Sequence, residues 1–482
     1  MRRYGGAIVK YVKTEDVMTD IEFLEREIKS WKHSPERNMQ IKGQLYYNGK
    51  QDILYRKRTV IGENGGLEPA DNLPDNRIVD NQYYRLVNQK ADYLLGQPFV
   101  LRGGGEKYIR LLKRVFNRDF MKTLLNAEKA ALNGGISWLY PCPDSENGIS
   151  FRMFPAYEIL PFWRDSAHTV LDAAARVYKV CRYNGGRPES VEKVEVFASN
   201  GINRYILDKN GRLVPDRSGV KGSSRFCHML TTGADGEAYG YNRREIPLVA
   251  VKYNDGEIPL IKRVKALQDG INIMLSDFQN NMQEDPRNTI LVLKNYDGTS
   301  LGEFRKNLSA FGAVKVRCDG ESQGGVETLE IKVNPENYKA ILEHLKHALI
   351  ENGMGYDPEN LRRFGGAFSN PGQMFIRSVY TDMDMDANEM EAELQVSFER
   401  IFGFLKDFFF NTKEGDFFGE ETEVIFNRDM LLNESEVIDD CIKSLKILSG
   451  ETVAAQHPWV DDVKREMQLK SKEDQTAAQE RQ

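Results

Sequence analysis

Cysteine is sparse and unpaired in this sequence. The 482 residues include five, Cys142, Cys181, Cys227, Cys318 and Cys441, far apart and with no CxxC spacing. An odd, scattered set argues against a disulfide framework or a zinc knuckle and predicts ordinary reduced thiols. Long apolar runs are missing too. No stretch approaches the roughly 18 uncharged apolar residues of a spanning helix, and mean hydropathy is -0.53, so no membrane span is expected. The basic opening Met1 to Lys13 has Ala7, Ile8 and Val9 as its only apolar run, shorter than the roughly seven residues of a signal-peptide core. The expectation is synthesis and first action in cytoplasm. Excess positive charge is also absent. Lys and Arg number 66 against 72 Asp and Glu, for a formal charge of -6. A domain that grips nucleic acid usually has a pI above about 9, so tight, static DNA binding is not expected.

Catalytic motifs are equally thin. Gly103-Gly104-Gly105-Glu106-Lys107 lacks the spacer and the Ser/Thr of a phosphate-binding P-loop and reads as a turn. His344 and His347 sit three apart beside Glu343, but HExxH is absent and the neighbouring stripe is apolar, so solvent-facing histidines are expected. Asp382, Asp384 and Asp386 echo the start of a calcium loop, yet Ala387 stands where its invariant glycine belongs. They read as a solvated or self-facing helical surface. No GxSxG occurs, and Cys227 and His228, adjacent on a strand, point to opposite faces and cannot easily form a dyad. No catalytic residue, cofactor or metal is assigned.

What is present is a globular composition, 40% hydrophobic and 29% charged, long enough for two to four structural units at about 100 to 200 residues each. Apolar spacing predicts helices over Asp20–Lys32, from Arg77 to Gly96, and over Lys107–Asn133. Alternating runs with Asn/Gly turns predict an antiparallel sheet from Ser137 to about Tyr253. Ile261–Glu284 carries one apolar stripe with Asp, Asn and Gln opposite, and Pro335 opens another helix up to Gly353. These two helices bracket a small α/β insert: strands at Thr289–Leu293, Ala313–Val316 and Val326–Val333, and a helix over Ser300–Ser309. The insert's near-even charge balance suggests a surface for partners.

Residues 353–372 hold five Gly and two Pro, too many for a simple connector, and Arg362 and Arg363 within them offer guanidinium groups suited to phosphate. Gln373–Asn411 contains no Pro and one Gly, enough for a helix of roughly 58 Å. Its part Thr381–Glu393 is too polar to be wrapped by the chain's own core and calls for neighbouring copies. A strand over Glu421–Asn427 is expected to return to the earlier sheet, followed by helices at Asn433–Ser449 and Asp461–Lys472 and a frayed tail.

Several strings, in order, resemble the portal proteins of tailed bacteriophages, of the siphophage type from Gram-positive hosts. They are Asn76-Arg77-Ile78-Val79-Asp80-Asn81 leading to Gln89–Pro98, Glu245–Val249 with Asn254, and Ser276-Asp277-Phe278. Near the end stand Asn433–Glu436, Leu448–Thr452 and His457–Asp462. The resemblance implies an α+β portal fold: a wing over 1–257, stem helices over 258–285 and 334–352, a small α/β clip over 286–333, and a tunnel loop over 353–372. A long helix with its return strand (373–429) and a helical crown (430–482) complete it.

The implied function is a ring, generally of twelve subunits, forming the DNA channel at one capsid vertex of the virion. Implied partners are the terminase large subunit, the head-tail connector or adaptor protein, capsid and scaffolding proteins, and double-stranded DNA in transit. Under this resemblance Asn360, Arg362, Arg363 and Phe364 are candidate channel-loop residues, and Arg305, Lys306, Lys315 and Arg317 candidate partner contacts on the clip. A low-affinity wall suits a sliding polyanion, because each neutralised phosphate adds a counterion-release term that would hold it. Two alternatives of other classes are a capsid-associated nuclease or protease, which metal-dependent DNA cleavage would reveal, and a helical adaptor that forms no ring.

Overall fold

A computed structural model describes residues 21–61, 66–69, 73–144, 148–184, 187–217, 223–232, 238–243, 245–284, 290–294, 300, 318–319, 322–323, 325–329, 335–357, 373–428, 434–460 and 463–480. Its helices, in chain order, are α1 (Ile21–Lys32), α2 (Pro35–Tyr47), α3 (Gln82–Leu95), α4 (Glu106–Val115), α5 (Arg118–Gly134), α6 (Ile261–Glu284), α7 (Pro335–Asn352), α8 (Gln373–Asn411), α9 (Glu434–Ser444), α10 (Gly450–Ala454) and α11 (Val463–Glu480). The chain forms two compact units: residues 1–48, 83–264 and 350–482 make the first, and residues 49–82 and 265–349 the second.

In the first unit the expected antiparallel sheet is present. Strands Ile159–Trp163, Leu171–Asn184, Arg187–Ala198, Gly201–Leu207 and Leu213–Pro215 lie in that order, and Arg225–Phe226 joins Gly201–Leu207. A second sheet runs Val249–Lys252, Ile136–Asp144, Gly148–Pro155. Trp138, Phe154, Val177, Val194, Val196 and Phe197 share one core with Leu24 and Ile28 of α1, so the α1 stripe finds the covering that its spacing predicts. Side chains of this size each stabilise the fold by roughly 1.5 to 3 kcal/mol when buried.

The single helix expected over Lys107–Asn133 is instead α4 and α5. Asn117 causes the break: its side-chain oxygen accepts from the amides of Asp119 and Phe120, capping a new helix. α5 stops at Gly135, whose φ is 80° and whose backbone N–H donates a hydrogen bond to Ala131 O. A Cβ at Gly135 would lie 2.0 Å from the Glu257 carbonyl, so no other residue fits. The α2 helix was not anticipated, although Ser34 caps it through Arg37 N at 3.1 Å and Pro35 starts it.

α8 runs unbroken for 39 residues. Its second half buries Leu394, Phe398, Ile401, Phe402, Leu405 and Phe409, with Phe398 and Phe402 meeting Phe116 edge-on. The expectation that Thr381–Glu393 needs neighbouring copies is corrected: Met383, Asp386, Ala387 and Met390 are buried by the chain itself. The return strand, Thr422–Ile425, pairs with Val100–Gly103 in a two-stranded ribbon rather than joining the larger sheets. α9 ends at Ser444, α10 begins after the Ser449 cap, and α11 continues to Glu480, well past the expected Lys472.

In the second unit, Phe278 of α6 packs on Tyr338 of α7 with ring centroids 5.0 Å apart. Asn281 Nδ2 donates to the Tyr338 hydroxyl at 3.1 Å. Of the insert between these helices, Ile290–Lys294 pairs antiparallel with Gly325–Leu329, and Cys318–Asp319 with Ser322–Gln323. The helix expected over Ser300–Ser309 and the strand over Ala313–Val316 lie outside the described residues, Ser300 apart.

Candidate functional site

Two polar arrangements stand out, one in each unit. In the second unit, the polar stripe of α6 is a ladder read by backbone. Asn280 Oδ1 accepts from Asn76 N at 2.8 Å, Ser276 Oγ from Ile78 N at 2.9 Å, and Asn272 Oδ1 from Asp80 N at 3.0 Å. Gln268 Nε2 ends the series by donating to Asp80 O at 2.7 Å. Four helical residues advance about 6.0 Å, and two extended residues about 6.6 Å, so every second amide meets every fourth side chain. This is why the helix expected from Arg77 starts only at Gln82: the amides of Asn76, Ile78 and Asp80 already have partners. Gln268, Asn272, Ser276 and Asn280 are all buried, and each rung is a neutral hydrogen bond.

In the first unit the buried polar groups are charged. Lys90 of α3 is 2% exposed, and its Nζ donates to Asp386 Oδ2 at 2.7 Å and to Met354 O at 2.9 Å. Asp386 of α8, also 2% exposed, further accepts from Tyr253 OH at 2.9 Å and Arg263 Nη1 at 3.1 Å. Burial pushes the Lys90 ammonium pKa down, against the pull of Asp386. Burial, then Asp386, raises the Tyr253 phenol well above its ordinary value, which keeps it a neutral donor. Glu128 of α5 is fully buried with neither carboxyl oxygen hydrogen-bonded among the described residues. Burial first, then Asp386, pushes its pKa up to about 8.

Beside this cluster three tyrosines stack. Tyr380 of α8 lies 4.6 Å from Tyr356 and 5.6 Å from Tyr93, with interplanar angles of 8° and 16°. The Tyr93 hydroxyl donates to Asp384, which also pairs with Arg428 at 2.8 Å.

The acidic trio Asp382, Asp384 and Asp386 is therefore not one solvated surface. Asp382 is exposed, Asp384 pairs with Arg428, and Asp386 is the buried anchor. His344 is exposed and His347 half-buried. No cluster of three metal-ligating side chains occurs among the described residues. His228 is buried, its Nε2 at 2.6 Å from Ala198 O, while Cys227 is exposed. Asn360, Arg362, Arg363 and Phe364, like Arg305, Lys306, Lys315 and Arg317, lie outside the described residues. Sequence reasoning missed Lys90 and Asp386. The available signal was a charge within an apolar stripe: Lys90 falls four residues from both Leu86 and Leu94, and Asp386 between Met383 and Met390.

The family described as phage portal protein, SPP1 Gp6-like, matches residues 28–480. The chain belongs to that family. The portal protein of Bacillus phage SPP1 is 28% identical over 442 residues, covering 90% of this chain and 83% of that protein. The portal protein of Clostridium phage phiCD119 is 25% identical over 445 residues, covering 89% and 91%. Among solved structures, a chain from the neck of a native gene transfer agent particle has a TM-score of 0.37 at 13% identity, with 77% of this chain and 88% of that one covered. Both resemblance strings near residue 80 now have physical roles in this portal-family chain. Asn76–Asn81 supplies the amides of the ladder, and Gln89–Pro98 carries Lys90 and Tyr93.

Proposed function

We propose that copies of this chain assemble into a ring around a DNA channel at one capsid vertex, through which the genome is packaged and later released. Family membership over residues 28–480 carries this reading. The portal family is a structural one, which supports a non-catalytic role. A formal charge of -6 per copy also suits a wall past which a polyanion slides, since counterion release at many cationic contacts would hold DNA in place. In this reading the wing is 1–257, the stem 258–285 and 334–352, and the clip 286–333. The clip takes the terminase large subunit during packaging and a head-tail connector afterwards, with Arg305, Lys306, Lys315 and Arg317 as contact candidates. The tunnel loop is 353–372, with Asn360, Arg362, Arg363 and Phe364 nearest the DNA, the long helix and return strand 373–429, and the crown 430–482, toward capsid and scaffolding proteins. The site of action is the virion, and assembly occurs in host cytoplasm.

The deciding experiment is negative-stain imaging of the purified chain with mass measurement. Annular end-on views and a multiple-copy mass are expected, and solid particles would refute the ring. Replacing Arg362 and Arg363 together with Ala tests the loop contact: reduced DNA packaging or retention in infected cells is expected, and unchanged packaging removes these residues from the channel.

A further inference from the structure

The polypeptide leaving α7 is held at several points before it enters the Gly-rich stretch of residues 358–372. Met354 has a φ of 50°, a left-handed conformation that a non-glycine residue keeps only where its surroundings impose it. Its carbonyl accepts from the buried Lys90, and the Tyr356 carbonyl accepts from Gln89 Nε2 at 3.0 Å. Gly355 lies so close to α3 that a Cβ there would meet Leu86 Cδ1 at 2.4 Å. Adjacent residues of α3 thus grip two carbonyls two residues apart. Beyond residues 358–372 in sequence, α8 packs on the same place. Tyr380 stacks on Tyr356, and Asp386 holds the Lys90 ammonium.

We propose that Lys90 with Asp386, and Tyr356 with Tyr380, form a two-point clasp that joins the two ends of the loop and positions it. The positioning role rests on the reading of that loop as the channel constriction, whereas the clasp itself does not. Bringing two flanking segments together restricts the chain entropy of whatever connects them. The stack supplies an aromatic contact, and the buried ammonium fixes the main chain at one carbonyl. Lys90 and Tyr356 are accordingly positioning residues, with no contact to DNA required of either.

Hydrogen exchange by mass spectrometry on the assembled full-length chain tests the clasp. Tyr356→Ala, at a half-buried position, is expected to speed exchange at residues 350–357 by about two- to ten-fold, the range that one aromatic contact supports. Tyr356→Phe, which keeps the stack, should restore the parent rate, and strands Leu171–Asn184 and Arg187–Ala198 should not change. Lys90→Met should loosen residues 350–357 similarly. Parent-like exchange in Tyr356→Ala, or an even rise across the whole first unit in both variants, overturns the clasp. DNA packaged per particle then tests the positioning role: it should fall in Tyr356→Ala with rings intact and recover in Tyr356→Phe. Unchanged packaging overturns positioning. Failure of the channel reading would show separately, as particles without a central opening, and the exchange result would stand regardless.

Discussion

The α6 ladder and the Lys90–Asp386 cluster satisfy the same requirement, that buried polar groups be hydrogen-bonded, by opposite means. The ladder uses neutral amides and a hydroxyl to receive the backbone of Asn76–Asp80, so each rung is worth about 1 kcal/mol net, and none of the rungs titrates near neutral pH. The cluster places an ammonium, a guanidinium and a carboxylate together. Desolvating such ions costs about as much as their attraction returns, so the intact group adds little stability, yet removing one member leaves an uncompensated charge. The ladder therefore fixes register with modest, distributed energies. The cluster concentrates its effect in single residues.

The largest break should come from Asp386→Ala. It leaves Lys90 and Arg263 beside each other without their shared carboxylate and should cost roughly 3 to 5 kcal/mol. Tryptophan fluorescence is a suitable probe, because Trp31, Trp138, Trp163 and Trp459 all belong to the first unit. An unchanged denaturation midpoint would mean that the cluster is not a buried charge unit.

Next in size is a pH effect. Glu128 has a folded pKa of about 8 against an ordinary 4.5, so it stays protonated in the fold while the unfolded chain ionises. Its contribution is fully present below pH 4.5 and is lost as pH rises toward 8. Between pH 5 and 7 the loss should be roughly 2 to 3 kcal/mol. Glu128→Gln should flatten that slope, and a variant that keeps the parent slope would assign the pH dependence elsewhere.

Asn280→Ala removes the acceptor for Asn76 N and should cost roughly 1 to 2 kcal/mol. The loss should be equal at pH 5 and pH 7 and visible as faster amide exchange at residues 76–80. A pH-dependent loss would erase the contrast between the two regions. The smallest effect belongs to the ion pair Arg56–Asp277 on the second unit, 2.9 Å apart with both side chains about two-fifths exposed. Arg56→Ala should change stability by about 0 to 1 kcal/mol, and less at high salt.

Local periodicity made much of the fold legible. The α1, α6, α7 and α8 stripes are each decided by neighbours in sequence, and the antiparallel sheet lies within the stretch where alternation put it. The misses have a common cause. Residues 77–81 carry a helical apolar pattern, but the alternate amides of Asn76, Ile78 and Asp80 are claimed by side chains about 200 positions away, which no local window contains. Asn117 splits a helix whose apolar spacing would continue through it, because a cap competes with periodicity only where the chain can turn. The polar face of Thr381–Glu393 looked as though it needed other copies, since the lysine that neutralises Asp386 lies 296 residues earlier. The candidate site was legible only as an anomaly, one charge on each of two otherwise apolar stripes. The chemistry of each stripe read alone does not say that the two charges meet.

The ladder also sets a limit on itself. Its two components are rulers with unequal divisions, about 6.0 Å on the helix and about 6.6 Å on the extended chain, so they drift apart by roughly 0.6 Å at each step. Three amides stay within hydrogen-bonding tolerance; several more would not. Lengthening this strap would add residues with nothing to grip, and inserting a single residue would turn every amide to the wrong side. Its brevity follows from geometry alone, and it marks the stretch as a place where substitutions are tolerated more readily than changes in length.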